Sequence, residues 1–208
     1  MKLYFHFCKQ GFSNCYILGD ETKTETTLRQ DAILIDPGNM DAGLLRMIED
    51  NHYDLKGVLI THDHPHHVRG LKTIMRIYDV EVFAINPTIG EYQTTIVKDG
   101  EKINVGPFTV EVFSIPGHSS DSAVYLIKRL LFTGDTLSAG LMGTTASSYA
   151  EANLAGELRK KILSLPGDYT ILPGHGPPSS LEAERRFNLD LYYFEQQKNR
   201  RPTLRLEL

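Results

Sequence analysis

Four histidines within six residues, His62, His64, His66 and His67, follow directly on the apolar run Gly57-Val58-Leu59-Ile60. An uninterrupted apolar run rich in branched side chains reads as a strand buried on both faces, which requires layers packed on either side of its sheet. The cluster therefore stands where a strand leaves a covered sheet, the place at which α/β folds build their sites. Neutral imidazole offers a lone pair without a charge to desolvate, and its second nitrogen can be oriented by a neighbour. Histidines clustered at a strand end point to metal.

The arrangement recurs. Ile115-Pro116-Gly117-His118, Phe132-Thr133-Gly134-Asp135 and Leu172-Pro173-Gly174-His175 each set a metal-competent side chain just after a strand, with glycine permitting a tight turn. One such histidine would more often be a surface residue, but four rims of this kind can converge on one point. Together they supply six imidazoles and a carboxylate, from His62, His64, His66, His67, His118, His175 and Asp135. Zinc usually takes about four ligands. The donor set implies two ions with Asp135 shared between them. Imidazole-rich ligation suits zinc or iron rather than the oxygen-seeking magnesium and calcium.

Around these rims the pattern alternates strands and helices. Strands are expected at Leu3–Cys8, Cys15–Leu18, Ala32–Ile35, Gly57–Ile60 and Val80–Ile85, with a polar connection over Glu21–Gln30. A helix capped by Asp41 runs to about Asn51, and apolar spacing from Val68 to Tyr78 predicts another, with His66 and His67 at its start. From Glu101 the reading becomes antiparallel: Lys102–Val105, Thr109–Ile115, Ala123–Ile127 and Leu130–Thr133 make a second sheet. Helical spacing returns over Glu151–Leu165, a short strand covers Thr170–Leu172, and a last helix runs from Ser179 to about Lys198 with Glu182 as its capping-box acid.

At 208 residues the chain suits one domain, 1–208, with room for a sizeable core. The net charge of −4 gives no basic stripe for a phosphate backbone, so a small-molecule substrate is expected and nucleic acid is not. No apolar stretch is long enough to cross a bilayer, and Met1–Phe7 lacks the basic start and long apolar core of a secretory signal, which places the protein in the cytoplasm. Cys8 and Cys15 are too few for a disulfide framework and read as separate thiols. His6 and His52 stand outside the motifs, as surface or hydrogen-bonded core residues. Tyr149, Tyr192 and Tyr193 read as packing residues, and Arg185, Arg186, Lys198, Arg200 and Arg201 as a solvated helix face.

The run His62 to His67, Pro116-Gly117-His118-Ser119, Phe132-Thr133-Gly134-Asp135-Thr136-Leu137 and Pro173-Gly174-His175-Gly176-Pro177 together resemble the metallo-β-lactamase superfamily, and within it the small glyoxalase II-like hydrolases. The resemblance implies an α/β fold, a four-layer αββα sandwich of two mixed sheets with outer helices. It assigns one metal to His62, His64 and His118 and the other to His67 and His175, with Asp135 bridging. The family's opening motif is H-x-H-x-D-H, and here His66 occupies the aspartate position, as a ligand to the second metal and, with Asp135, a catalytic residue. The implied chemistry is hydrolysis of a small thioester or ester by a metal-bound hydroxide, with zinc the expected metal and iron the alternative. Rival activities within the superfamily are those of a β-lactamase, a phosphodiesterase, or a persulfide dioxygenase with a single iron on His62, His118 and Asp135.

Overall fold

A computed structural model describes residues 1–22 and 29–200. In chain order β1 (Lys2–Cys8), β2 (Ser13–Gly19) and β3 (Gln30–Ile35) lead to helix α1 (Ala42–Glu49) and β4 (Tyr53–Leu59). Two short helices, α2 (Pro65–Val68) and α3 (Leu71–Ile77), precede β5 (Glu81–Ala84) and the short strands β6 (Thr88–Ile89), β7 (Tyr92–Gln93) and β8 (Thr95–Ile96). The second half holds β9 (Lys102–Val105), β10 (Phe108–Ser114), β11 (Ala123–Ile127), β12 (Leu130–Gly134), β13 (Leu137–Ser138) and β14 (Leu141–Met142). Helix α4 (Ser148–Glu157) continues as a π-helical turn over Leu158–Leu163, and β15 (Thr170–Pro173), β16 (Ser179–Ser180), α5 (Leu181–Phe187) and α6 (Leu189–Arg200) complete the order.

Two six-stranded sheets form, ordered β1-β2-β3-β4-β5-β8 and β16-β15-β12-β11-β10-β9. Both are mixed: β3, β4, β5 and β8 run parallel in the first, and β12 and β15 in the second. Strand alternation sends successive side chains to opposite faces, and the apolar clusters sort accordingly. Ile17, Leu34 and Val58 pack under Leu44, Ile48, Leu71 and Ile74 of α1 and α3. Tyr16, Leu18, Ile33, Ile35 and Leu59 face Val110, Val112, Tyr125, Phe132 and Leu172 across the two sheets. Val124, Leu131 and Ile171 bury Leu154, Leu158, Ile162, Leu181 and Leu191 of the later helices. Three apolar interfaces make four layers, the αββα sandwich expected from the motifs. No helix among the described residues is long and apolar enough to cross a membrane.

The differences from expectation have local causes. The expected helix from Val68 to Tyr78 is broken at Gly70, whose N–H donates to Pro37 O at 2.8 Å; a Cβ there would sit 2.6 Å from the same oxygen. The expected last helix is split at Asn188, whose ψ of 115° leaves the helical region while its Oδ1 accepts from Leu191 N at the start of α6. Ser180 rather than Ser179 caps α5, and Glu182 pairs with Arg186 instead of closing a capping box. Strand β4 begins at Tyr53, earlier than the apolar run suggested, because Tyr53 and Leu55 alternate inward while Asp54 stays exposed. Most of the polar connection over 21–30 lies outside the described residues.

Candidate metal centre

The first rim is held by a carboxylate at the end of the neighbouring strand. Asp36, directly after β3, has a φ of 49°, a left-handed conformation that Asp tolerates better than most residues. Its Oδ1 accepts from Thr61 N at 2.8 Å and its Oδ2 from Thr61 Oγ1 at 2.6 Å. Thr61 Oγ1 also lies 3.0 Å from His62 Nδ1. Pro65, at the first position of α2, starts the turn that carries His67 back toward the sheet. There His67 Nδ1 lies 3.0 Å from Asp36 Oδ2, so both buried histidines turn Nε2 toward the same space.

The second sheet faces this rim with three donors. His118, beyond β10, has Nδ1 2.8 Å from Thr144 O, which fixes that nitrogen as the donor and leaves Nε2 with the lone pair, 3.1 Å from His64 Nδ1. Asp135, after β12, places Oδ2 at 3.4 Å from His67 Nε2, 3.7 Å from His118 Nε2 and 3.8 Å from His62 Nε2. His175, after β15, has Nδ1 2.8 Å from Asp135 Oδ1 and Nε2 3.2 Å from Gly11 O. Two groups of ligand atoms, each within 4.8 Å of one another, result: His62, His64, His118 and Asp135, and His67, Asp135 and His175.

The residues fit a metal on two grounds. Among the described residues His62 Nε2 and His67 Nε2 are buried without a hydrogen-bond partner, a costly state that a metal bond would relieve. The space they face is also kept clear by glycine: a Cβ at Gly174 would lie 2.5 Å from both Asp135 Oδ1 and His67 Cε1.

Electrostatics tell the same story. Burial opposes ionisation of Asp135, but the hydrogen bond from His175 and the nearby charges of His67 and His175 hold its carboxyl well below the usual carboxylate range. Burial likewise opposes a charge on His67, yet Asp36 and Asp135 raise it to about 10. His62 is pushed down to about 3 by burial and then by the charge on His67. In the metal-free protein an imidazolium at His67 thus supplies positive charge beside the shared carboxylate. A metal must displace that proton. Metal affinity is therefore expected to fall roughly tenfold for each pH unit below about 10 for His67 alone. Chelator competition at pH 7, 8 and 9 measures the slope; a flat profile would show that His67 carries no proton to lose.

Six of the seven expected donors meet at this centre. His66 does not: no nitrogen of its ring joins either group, and its side chain is exposed. Its carbonyl accepts from Ser13 Oγ at 2.6 Å, its ring lies against Gly11, and its centroid is 6.1 Å from that of His175. The expected ligand role thus has no support in the geometry, because the turn of α2 that brings His67 inward carries its neighbour outward. The donor motifs do not include Asp36, although Asp36-Pro37-Gly38 closing a buried strand is a signal present in the sequence. His6 is a buried histidine paired with Asp41 at 3.2 Å. Cys8 and Cys15 are buried free thiols. Tyr149, Tyr192 and Tyr193 are exposed rather than packed. Arg185 is only partly solvated: it donates to Leu163 O, a carbonyl left by the end of the π-helical turn, and to Gly167 O in the loop beyond. The side chains of Lys198, Arg200 and Arg201 lie outside the described residues.

An uncharacterized protein of Mycobacterium leprae (strain TN) is 28% identical over 205 residues, covering 84% of this chain and 91% of its own. A hydroxyacylglutathione hydrolase of Francisella tularensis subsp. tularensis is 37% identical over 151 residues, which is 71% of this chain but 59% of that protein. Among solved structures, ETHE1 from Myxococcus xanthus superposes with a TM-score of 0.79 at 24% identity, over 98% of this chain and 93% of that one. The BLEG-1 B3 metallo-beta-lactamase gives 0.78 at 23%, over 91% and 99%. These two likenesses speak for the fold. The family description of the metallo-beta-lactamase superfamily matches residues 8–175, from the first strand to the last donor of the centre, and the chain belongs to that superfamily.

Proposed function

We propose that this chain is a metal-dependent hydrolase of a small thioester or ester, holding two ions of zinc or iron. The observation that carries the reading is the convergence of two donor groups on one carboxylate, Asp135. When bound, such cations supply Lewis acidity toward water and toward a carbonyl oxygen. The chain's own residues prepare the place. Asp135 stays ionised, so it accepts and does not donate. Asp36 and Thr144 O fix the rings of His67 and His118 through their Nδ1 atoms, which leaves each Nε2 aimed inward. A cysteine nucleophile is disfavoured, because burial raises both the Cys8 and Cys15 thiols and keeps them protonated. The thioester preference draws on the hydroxyacylglutathione hydrolase relative. A small-molecule substrate met in the cytoplasm completes the proposal, with no nucleic acid or membrane partner.

Two measurements test it. Hydrolysis of acyl-glutathione thioesters is expected to exceed that of a β-lactam panel by at least about a hundredfold in kcat/KM, a difference of roughly 2.7 kcal/mol in the barrier; comparable rates would overturn the thioester assignment. Elemental analysis of protein saturated with zinc should find two ions per chain. One iron and no second ion would favour an oxidoreductase instead.

The exposed His66 adds a further expectation. His66→Asp places a short carboxylate where the imidazole now turns outward, and it should tighten the second, three-donor group by roughly tenfold or more. Zinc stoichiometry at limiting metal reads the change. Identical titrations of parent and variant would show that position 66 has no access to the ions.

A further inference from the structure

Behind the second donor group stands Asp36, a buried carboxylate that orients His67. A second buried carboxylate, Asp121, stands behind the first group. It is 7% exposed and lies on the turn between His118 and β11. Its Oδ2 accepts from Asp63 N at 2.9 Å, the backbone amide between His62 and His64, and from Asn86 Nδ2 at 3.1 Å. The same turn is closed on itself beside His118: Ser122 Oγ lies 3.2 Å from Ser119 N and 2.7 Å from Ser119 Oγ, and Gly117 N donates to Ser119 O. Immediately after it, Ala123 N donates to Thr61 O at 2.8 Å. One short segment from the second sheet thus grips both histidine-bearing loops of the first group, and it makes none of these contacts with His67 or His175.

We propose that Asp121 is a positioning residue for the first metal, acting through the Asp63 amide to set His62 and His64 in register with His118. The proposal rests on the reading of the centre as a metal site, not on which substrate it cleaves. A buried amide stripped of its acceptor seeks another partner, and the loop that carries it has a histidine on either side. A shift there changes the angle between His64 and His118 directly. The isosteric Asn keeps an oxygen for Asp63 N and Asn86 Nδ2 and should preserve the register.

The test uses the full chain and reads metal binding, so absence of thioester hydrolysis would leave it intact. Cobalt(II) reports the geometry of the positions it fills by its visible absorption, and chelator competition with zinc reports affinity. Asp121→Ala is expected to weaken zinc at the His62, His64, His118 and Asp135 position by about 10–100-fold and to alter the cobalt spectrum, leaving the second position near its parent affinity. Asp121→Asn is expected to restore both readouts. Should the alanine variant fail to fold, Asp121→Leu occupies the same space without an acceptor and carries the same expectation. Parent-like affinity and spectrum in the acceptor-free variant, equal weakening of both positions, or an asparagine variant as impaired as alanine would each overturn the proposal.

Discussion

Asp135→Asn is expected to empty both metal positions at metal concentrations that saturate the parent, and to abolish turnover with them. Its carboxylate is the one donor common to the two groups, with Oδ2 within 3.8 Å of three imidazole nitrogens and Oδ1 at 2.8 Å from His175. Loss of a partner that merely orients a ligand costs about 10–100-fold in metal affinity, so removing a shared ligand's charge should cost at least roughly a hundredfold at each position. Zinc content after dialysis against a weak chelator, measured beside the rate of thioester hydrolysis, checks both halves. Retention of two ions with unchanged turnover would remove Asp135 from the centre. Retention of metal with loss of turnover would limit it to the reaction.

The second large effect is on stability. Asp36→Ala leaves Thr61 N, Thr61 Oγ1 and His67 Nδ1 without their acceptor in a region closed to water. Breaking a buried charged pair by removing one partner costs about 3–5 kcal/mol, which for a chain of this size lowers Tm by roughly 6–20 °C. The pH dependence has a defined sign. His67 is raised in the folded protein to about 10 from about 6.5 unfolded, so its pairing stabilises the metal-free fold fully below 6.5 and is lost as pH rises through 10. The penalty should accordingly be larger at pH 6 than at pH 10. Thermal melts of metal-free parent and variant at the two values test this, and a pH-independent difference would show that the lost hydrogen bonds to Thr61 carry the whole effect.

The strand ends and the donors on them were legible because each requirement is local. A buried strand needs a run of apolar residues, and a rim needs a turn just after it, so Val58, Leu59 and Ile60 before His62 carry their meaning in order. Much of what was hidden depended on residues far away in sequence. The break at Gly70 follows from the approach of Pro37, whereas the break at Asn188 is local, resting on side-chain bonds to its near neighbours Glu184 and Leu191. The very short strands β6, β7, β8, β13, β14 and β16 hold too few residues to show a period. His66 is the clearest case: His64 and His67 close by in sequence join the two donor groups, and only the geometry of α2 separates it from them. Asp36 and Asp121 are the reverse, ordinary acidic residues whose partners lie 25 and 58 positions away.

The pairing of Gly11 with His175 across 164 residues has a consequence for how the protein comes into being. Ser13 and His175 form an isolated β-bridge, Asn14 N donates to Gly174 O, and Asn14 Nδ2 reaches Pro173 O and Gly176 O. The first hairpin made is therefore seated against the last donor made. During synthesis the first sheet can form on the ribosome with its histidine rim exposed, but the second donor group does not exist until residue 175 has emerged. Capture of the second ion is expected to be a late event, coupled to closure of the two halves along this seam, and slow by the measure of long-range contacts.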